Sequence, residues 1–102
     1  MFAWSQNVPI DEAAYREVTT RMGEAKMPGL IVHLAIEEAD GSLRYIDVWE
    51  SEQACDEAFE TVIHPAVRAM LTERGIHVAG EHPRTPLTVI EVRYADGSTI
   101  TS

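Results

Sequence analysis

The sequence predicts an α+β domain in which two helices cover one face of a four-stranded antiparallel sheet, in the order strand, helix, strand, strand, helix, strand. Three observations carry that reading. Extended segments rich in β-branched residues, beginning at Leu30 and running from Leu43 to Glu50, flank an Asp40-Gly41 turn signal. Apolar residues recur at helical spacing after two side chains suited to N-capping, Asp11 and Ser51. Alternating segments also open the chain at Phe2 and return near its end at Leu87.

Taken in order, Phe2 to Val8 reads as a strand with Phe2, Trp4, Gln6 and Val8 on one side and Ala3, Ser5 and Asn7 on the other. Asp11 is placed to cap a helix running to about Met22, with Glu12 adding negative charge to its first turn and Ala14, Val18 and Met22 forming its buried stripe. Gly23 suits its C-terminal cap. After Met27-Pro28-Gly29, the residues Leu30, Ile31, Val32, Leu34 and Ile36 indicate the second strand.

The turn that follows decides which residues share a face. A two-residue Asp-Gly loop places His33 opposite Val48 and mixes polar and apolar side chains on both faces. A three-residue loop with Gly41 in the left-handed position places His33 opposite Asp47 and Ile31 opposite Trp49. Leu30, Val32, Leu34 and Ile36 then join Ile46 and Val48 on one aliphatic face, the cleaner burial pattern, which favours the longer loop. The other face carries His33, Tyr45, Asp47 and Trp49, a set suited to lining a pocket.

Ser51 caps a helix whose inner stripe is Cys55, Ala58, Phe59 and Val62. Pro65 lacks an amide proton and crowds the carbonyl of Thr61, which predicts a kink or break at His64 and a second helical piece from Pro65 to Arg74, ended by Gly75. Ile76 to Pro86 reads as a surface-exposed, mobile loop, Leu87 to Tyr94 as the last strand, and Ala95 to Ser102 as a fraying tail. This element order is that of a ferredoxin-like plait, a single domain over residues 1–102.

Composition narrows the function. With 102 residues, 45% hydrophobic and 25% charged, the chain builds one modest core and gains from self-association, so a homodimer through the uncovered sheet face is expected. Seventeen acidic against eight basic residues, a formal charge of -9, repel phosphate backbones and anionic lipid, arguing against nucleic-acid and membrane partners. The single cysteine, Cys55, permits no intrachain disulfide, and no apolar run or basic leader marks export, so a cytoplasmic location is expected. The four histidines show no metal-ligand spacing, and no Gly-rich phosphate loop or nucleophile elbow is present. Neither a metal nor a cofactor is expected.

Gly29-Leu30-Ile31-Val32-His33, Ile46-Asp47-Val48-Trp49-Glu50-Ser51, Ala58-Phe59 and His64-Pro65-Ala66 resemble the small dimeric α/β-barrel proteins related to antibiotic biosynthesis monooxygenases. The likeness covers nearly the whole chain in element order and about a third of it in motifs. It implies a cavity in each protomer for a flat hydrophobic molecule, and cofactor-independent oxygenation of an aromatic or polyketide-like substrate. Relatives that degrade haem carry an Asn, a Trp and a His; Asn7 and Trp49 match the first two, while Arg68 stands roughly where the His is needed and His64 lies one turn earlier. That departure disfavours haem ligation.

Each candidate has a functional and a purely structural role. His33, oriented by Asp47, is a general base or half of a satisfied polar pair; His64 is the second candidate base. Trp49 stacks on a planar substrate or anchors the core, and Asn7 steadies an oxyanion or closes a strand end. Tyr45 joins them on the pocket face, and Arg68 holds an anionic substrate group or rests on the helix surface. Two classes of function follow: an oxygenating enzyme, or a non-catalytic binding or assembly module.

Overall fold

A computed structural model of the chain describes residues 1–77 and 82–101. The architecture is α+β. Strand β1 (Phe2–Val8), helix α1 (Glu12–Met22), strands β2 (Leu30–Glu37) and β3 (Leu43–Trp49), a second helical run and strand β4 (Arg84–Leu87) follow one another. The four strands form an antiparallel sheet ordered β2-β3-β1-β4, an arrangement compatible with the ferredoxin-like plait. No helix among the described residues is long and apolar enough to cross a membrane.

Local chemistry accounts for most boundaries. Asp11 accepts a hydrogen bond from the Ala14 amide at 2.9 Å and Ser51 from the Ala54 amide at 3.1 Å, so both expected caps form. The turn between β2 and β3 has three residues, Ala39, Asp40 and Gly41, closed by the Glu38 amide donating to the Ser42 carbonyl at 2.8 Å; His33 pairs with Asp47, and Gly41 takes φ 87. Asp40 stabilises that turn by accepting from both the amide and the hydroxyl of Ser42, at 2.9 and 2.6 Å.

The second helical run continues through His64 without the expected break. Helix α2 (Glu52–Ala58) passes through a π-helical turn (Phe59–Ile63) into α3 (His64–Arg74), and the His64 amide donates to the Phe59 carbonyl. The wider turn absorbs Pro65 without a break. It also changes the phase of the helix: Cys55, Ala58 and Phe59 are buried as expected, but Val62 turns to an outer groove beside α1 and Ile63 takes the inward position.

Two other expectations are corrected, and one question the sequence left open is answered. A bulge between Leu30 and Val32 sets Leu30, not Ile31, opposite Trp49, so Leu30 leaves the aliphatic face and packs into the core. Which face the helices cover, left open by the sequence, is decided here: they cover the face of Trp4, Asp47 and Trp49, while Leu34 and Ile36 on the aliphatic face remain 48% and 39% exposed. The last sheet strand is Arg84–Leu87, with Pro86 tolerated because β4 is an edge strand. Of the predicted loop, residues 78–81 lie outside the described residues.

The predicted fraying tail is instead half of a hairpin, β5 (Glu91–Arg93) with β6 (Thr99–Thr101). Its turn, Asp96-Gly97-Ser98, repeats the chemistry of Asp40-Gly41-Ser42: Asp96 accepts from the Ser98 amide and hydroxyl at 2.9 and 2.6 Å, and Gly97 takes φ 89. In both turns the serine hydrogen bonds hold the aspartate carboxyl below its ordinary range.

Two apolar clusters hold the layers together. Trp4, Trp49, Cys55, Ala58 and Phe59 fill the space between sheet and second helical run, and Ala14, Val18, Ala66 and Met70 join α1 to α3. Burial raises the pKa of the Cys55 thiol, so it packs as an apolar residue rather than as a nucleophile.

Candidate functional site

The hairpin register brings His33, Asp47 and Trp49 together on the covered face. Asp47 lies in the middle of β3 with its side chain 2% exposed. His33 Nδ1 is 2.6 Å from Asp47 Oδ1, and the Trp49 indole N–H donates to Asp47 Oδ2 at 3.1 Å. A buried carboxylate costs several kcal/mol unless hydrogen-bonded, and these two donors supply the compensation. Tyr15 of α1 extends the chain, its hydroxyl lying 3.0 Å from His33 Nε2 with the two rings stacked. With Nδ1 donating to the carboxylate, Nε2 accepts the Tyr15 proton, which selects the imidazole tautomer.

Tyr45 stands edge-on to His33 and Tyr15, with centroids 5.2 and 5.7 Å away. Burial pushes its pKa upward, and the neighbouring Tyr15 and Asp47 add to the rise. Its phenol therefore remains protonated at neutral pH and serves as a donor. Burial also raises Tyr15, partly offset by Arg16.

Tyr45 also lines a cavity of about 440 Å³ between the end of β1 and α3. Phe59, Ile63, Val67, Met70 and Leu71 make its apolar wall, and Gln6, His64, Arg68 and His82 are its other main polar groups. The π turn and α3 put Phe59, Ile63, His64, Val67 and Arg68 on one side of the helical run. His64 meets Phe59 edge-on at 5.4 Å. A smaller space of about 60 Å³, bordered by Tyr15, His33, Asp47 and Trp49, shares Tyr45, Phe59, Ile63 and Val67 with the larger one.

The candidates thus divide between two neighbouring spaces. His33, Asp47 and the fully buried Trp49 belong to the small one, His64 and Arg68 to the large one, and Tyr45 to both. Asn7 borders the large cavity from the strand end, but it is exposed and pairs in register with Arg44 on the open sheet face. The β1 amide on the covered face is Gln6, opposite Tyr45, whose Nε2 donates to the His82 carbonyl at 2.7 Å.

Sequence reading missed three residues here. Gln6 was already on the Trp4 side of β1 by alternation, and Tyr15 flanked the buried stripe of α1. Arg84 carried no signal, because it fell within a presumed loop; its guanidinium carbon sits 4.4 Å from the Trp4 ring centroid and 4.5 Å from that of Phe59.

Among the described residues no three His, Cys, Asp or Glu side chains converge as a metal site. Comparison with known proteins finds neither a protein-family model nor a curated protein that matches this chain.

Proposed function

We propose that this chain is a ferredoxin-like, homodimeric member of the monooxygenase-like α/β-barrel proteins, binding a small aromatic or polyketide-like compound in the 440 Å³ cavity and oxygenating it without a cofactor. The observation that carries the reading is the cavity itself: a largely apolar space with two imidazoles, a guanidinium, a phenol and two amides on its wall, the usual composition of a small-molecule site. The strand order β2-β3-β1-β4 supports the plait, and the exposed Leu34, Ile36 and Leu87 support a partner on the open sheet face.

In this reading His64 is the general base. It removes a proton from an acidic methylene or phenol of the substrate, giving a delocalised anion. Dioxygen adds at carbon to form a hydroperoxide; loss of the second C–H proton then cleaves the O–O bond, leaving a carbonyl and releasing water. Tyr45, kept protonated by burial, donates to the oxyanion that develops.

A second reading, non-catalytic binding, is favoured by one observation: both ring nitrogens of His33 are engaged, by Asp47 and Tyr15, leaving it no free nitrogen for a substrate. Oxygen uptake with anthrone separates the two. Turnover by the native protein, reduced about 100-fold in His64→Ala and much less in His33→Ala, is the outcome expected of the enzyme. Anthrone binding without oxygen uptake leaves the binding module.

A further inference from the structure

The charge on the cavity wall runs against the charge of the chain. The protein has 17 acidic and 8 basic residues, yet the described lining holds the guanidinium of Arg68 and no Asp or Glu. Arg68 makes no ion pair with any described residue, whereas Arg21, Arg44, Arg74 and Arg93 each reach a glutamate. Another guanidinium without a described carboxylate, Arg84, lies behind the wall against Phe59, and its buried Nε has no acceptor among the described residues. A guanidinium at a low-dielectric wall concentrates the field there, and the acidic remainder of the surface does not cancel it at short range.

We propose that the cavity's ligand is an amphipathic organic anion, an aromatic carboxylate whose ring lies against Phe59, Ile63 and Val67 and whose acid group pairs with Arg68. The inference rests on the cavity-binding reading above and adds the charge of the ligand to it. Arginine is suited to this role because its planar fork meets both carboxylate oxygens at once. Arg68 follows His64 by four residues on α3, so the two side chains share a helical face and a ligand anchored at Arg68 presents its ring toward the imidazole. The predominantly apolar wall fits a single negative charge at one end of a ring system better than a multiply charged phosphate ester.

Titration calorimetry with 1-naphthoate and its neutral counterpart of the same shape, 1-naphthamide, tests the assignment. The native protein should bind the carboxylate about tenfold more tightly than the amide. Arg68→Gln, a change at an exposed position that leaves the core intact, should erase that preference and leave amide binding unchanged. Equal affinities for the two compounds in the native protein, or an equal loss of both in Arg68→Gln, overturns the anion assignment while the cavity reading stands. Binding of neither compound overturns the cavity reading, and the anion assignment with it.

Discussion

His33 Nδ1 and Asp47 Oδ1 lie 2.6 Å apart across two strands whose register is set by a three-residue turn seven residues from the aspartate. One residue fewer in that turn would place His33 opposite Val48 and send the imidazole and the carboxylate to different faces. The same carboxylate accepts the Trp49 indole proton, and His33 reaches Tyr15 on α1. Asp47 therefore ties the sheet both to its own core tryptophan and, through His33, to the first helix.

Removing that carboxylate strands its donors. Asp47→Ala should destabilise the protein by about 3 kcal/mol, because the buried indole N–H loses its acceptor and the imidazole its partner. Asp47→Asn, which keeps an acceptor oxygen, should cost less. Urea unfolding followed by tryptophan fluorescence measures both, and equal costs for the two variants would mean that the negative charge, which both lack, rather than an acceptor oxygen decides the position.

Gly29 and Gly41 both take positive φ, 90 and 87, but their surroundings differ. A Cβ at Gly29 meets the Ala54 side chain at 2.5 Å, where the end of β2 passes close under α2, and a Cβ at Gly41 meets nothing within 4 Å. Gly41→Ala should cost about 1 kcal/mol from backbone conformation alone. Gly29→Ala should cost about 2 kcal/mol more, since overpacking adds to the same strain. Thermal unfolding of the pair isolates the packing contribution.

The buried tyrosines make the fold sensitive to alkali. Tyr15 and Tyr45 have pKa values raised in the folded state, so the folded protein holds their protons more firmly than the unfolded chain. Their contribution to stability is complete below the unfolded value of about 10 and is lost as pH rises through the folded values. Denaturation midpoints should accordingly fall from about pH 10 upward. Tyr45→Phe should flatten that decline; an unchanged slope would place the alkaline sensitivity elsewhere.

The open sheet face should hold two copies together. Leu34 and Ile36 are exposed there on β2 at one edge of the sheet, and Leu87 on β4 at the other. The double variant Leu34→Lys with Ile36→Lys should shift a dimer to monomer in sedimentation velocity while preserving the far-ultraviolet circular dichroism. A native protein that sediments as a monomer at micromolar concentration would refute the dimer directly.

Periodicity and capping chemistry are local, and they carried the element order through α3. Asp11, Ser51 and the Asp-Gly-Ser turn act within a few residues of themselves, so they were legible one residue at a time. The second Asp-Gly-Ser, at residues 96–98, held the same information, but the polar composition around it masked a hairpin. Pro86 was misleading for the opposite reason: its local rule against strands is relaxed at a sheet edge, and edge position is a property of the assembled sheet.

By itself, then, the sequence determined which side chains share a face, because alternation along β3 and the glycine in the turn leave one register that segregates polar from aliphatic residues. Only the tertiary structure decided what each set faces. Helices cover the side that carries Trp4, Asp47 and Trp49, because two large indoles bury more apolar surface there than the branched aliphatics of the opposite face provide. The division between an occupied Tyr15–His33–Asp47 chain and a separate cavity at His64 and Arg68 comes from where α1 and the π turn come to rest, and no spacing within a single element encodes that.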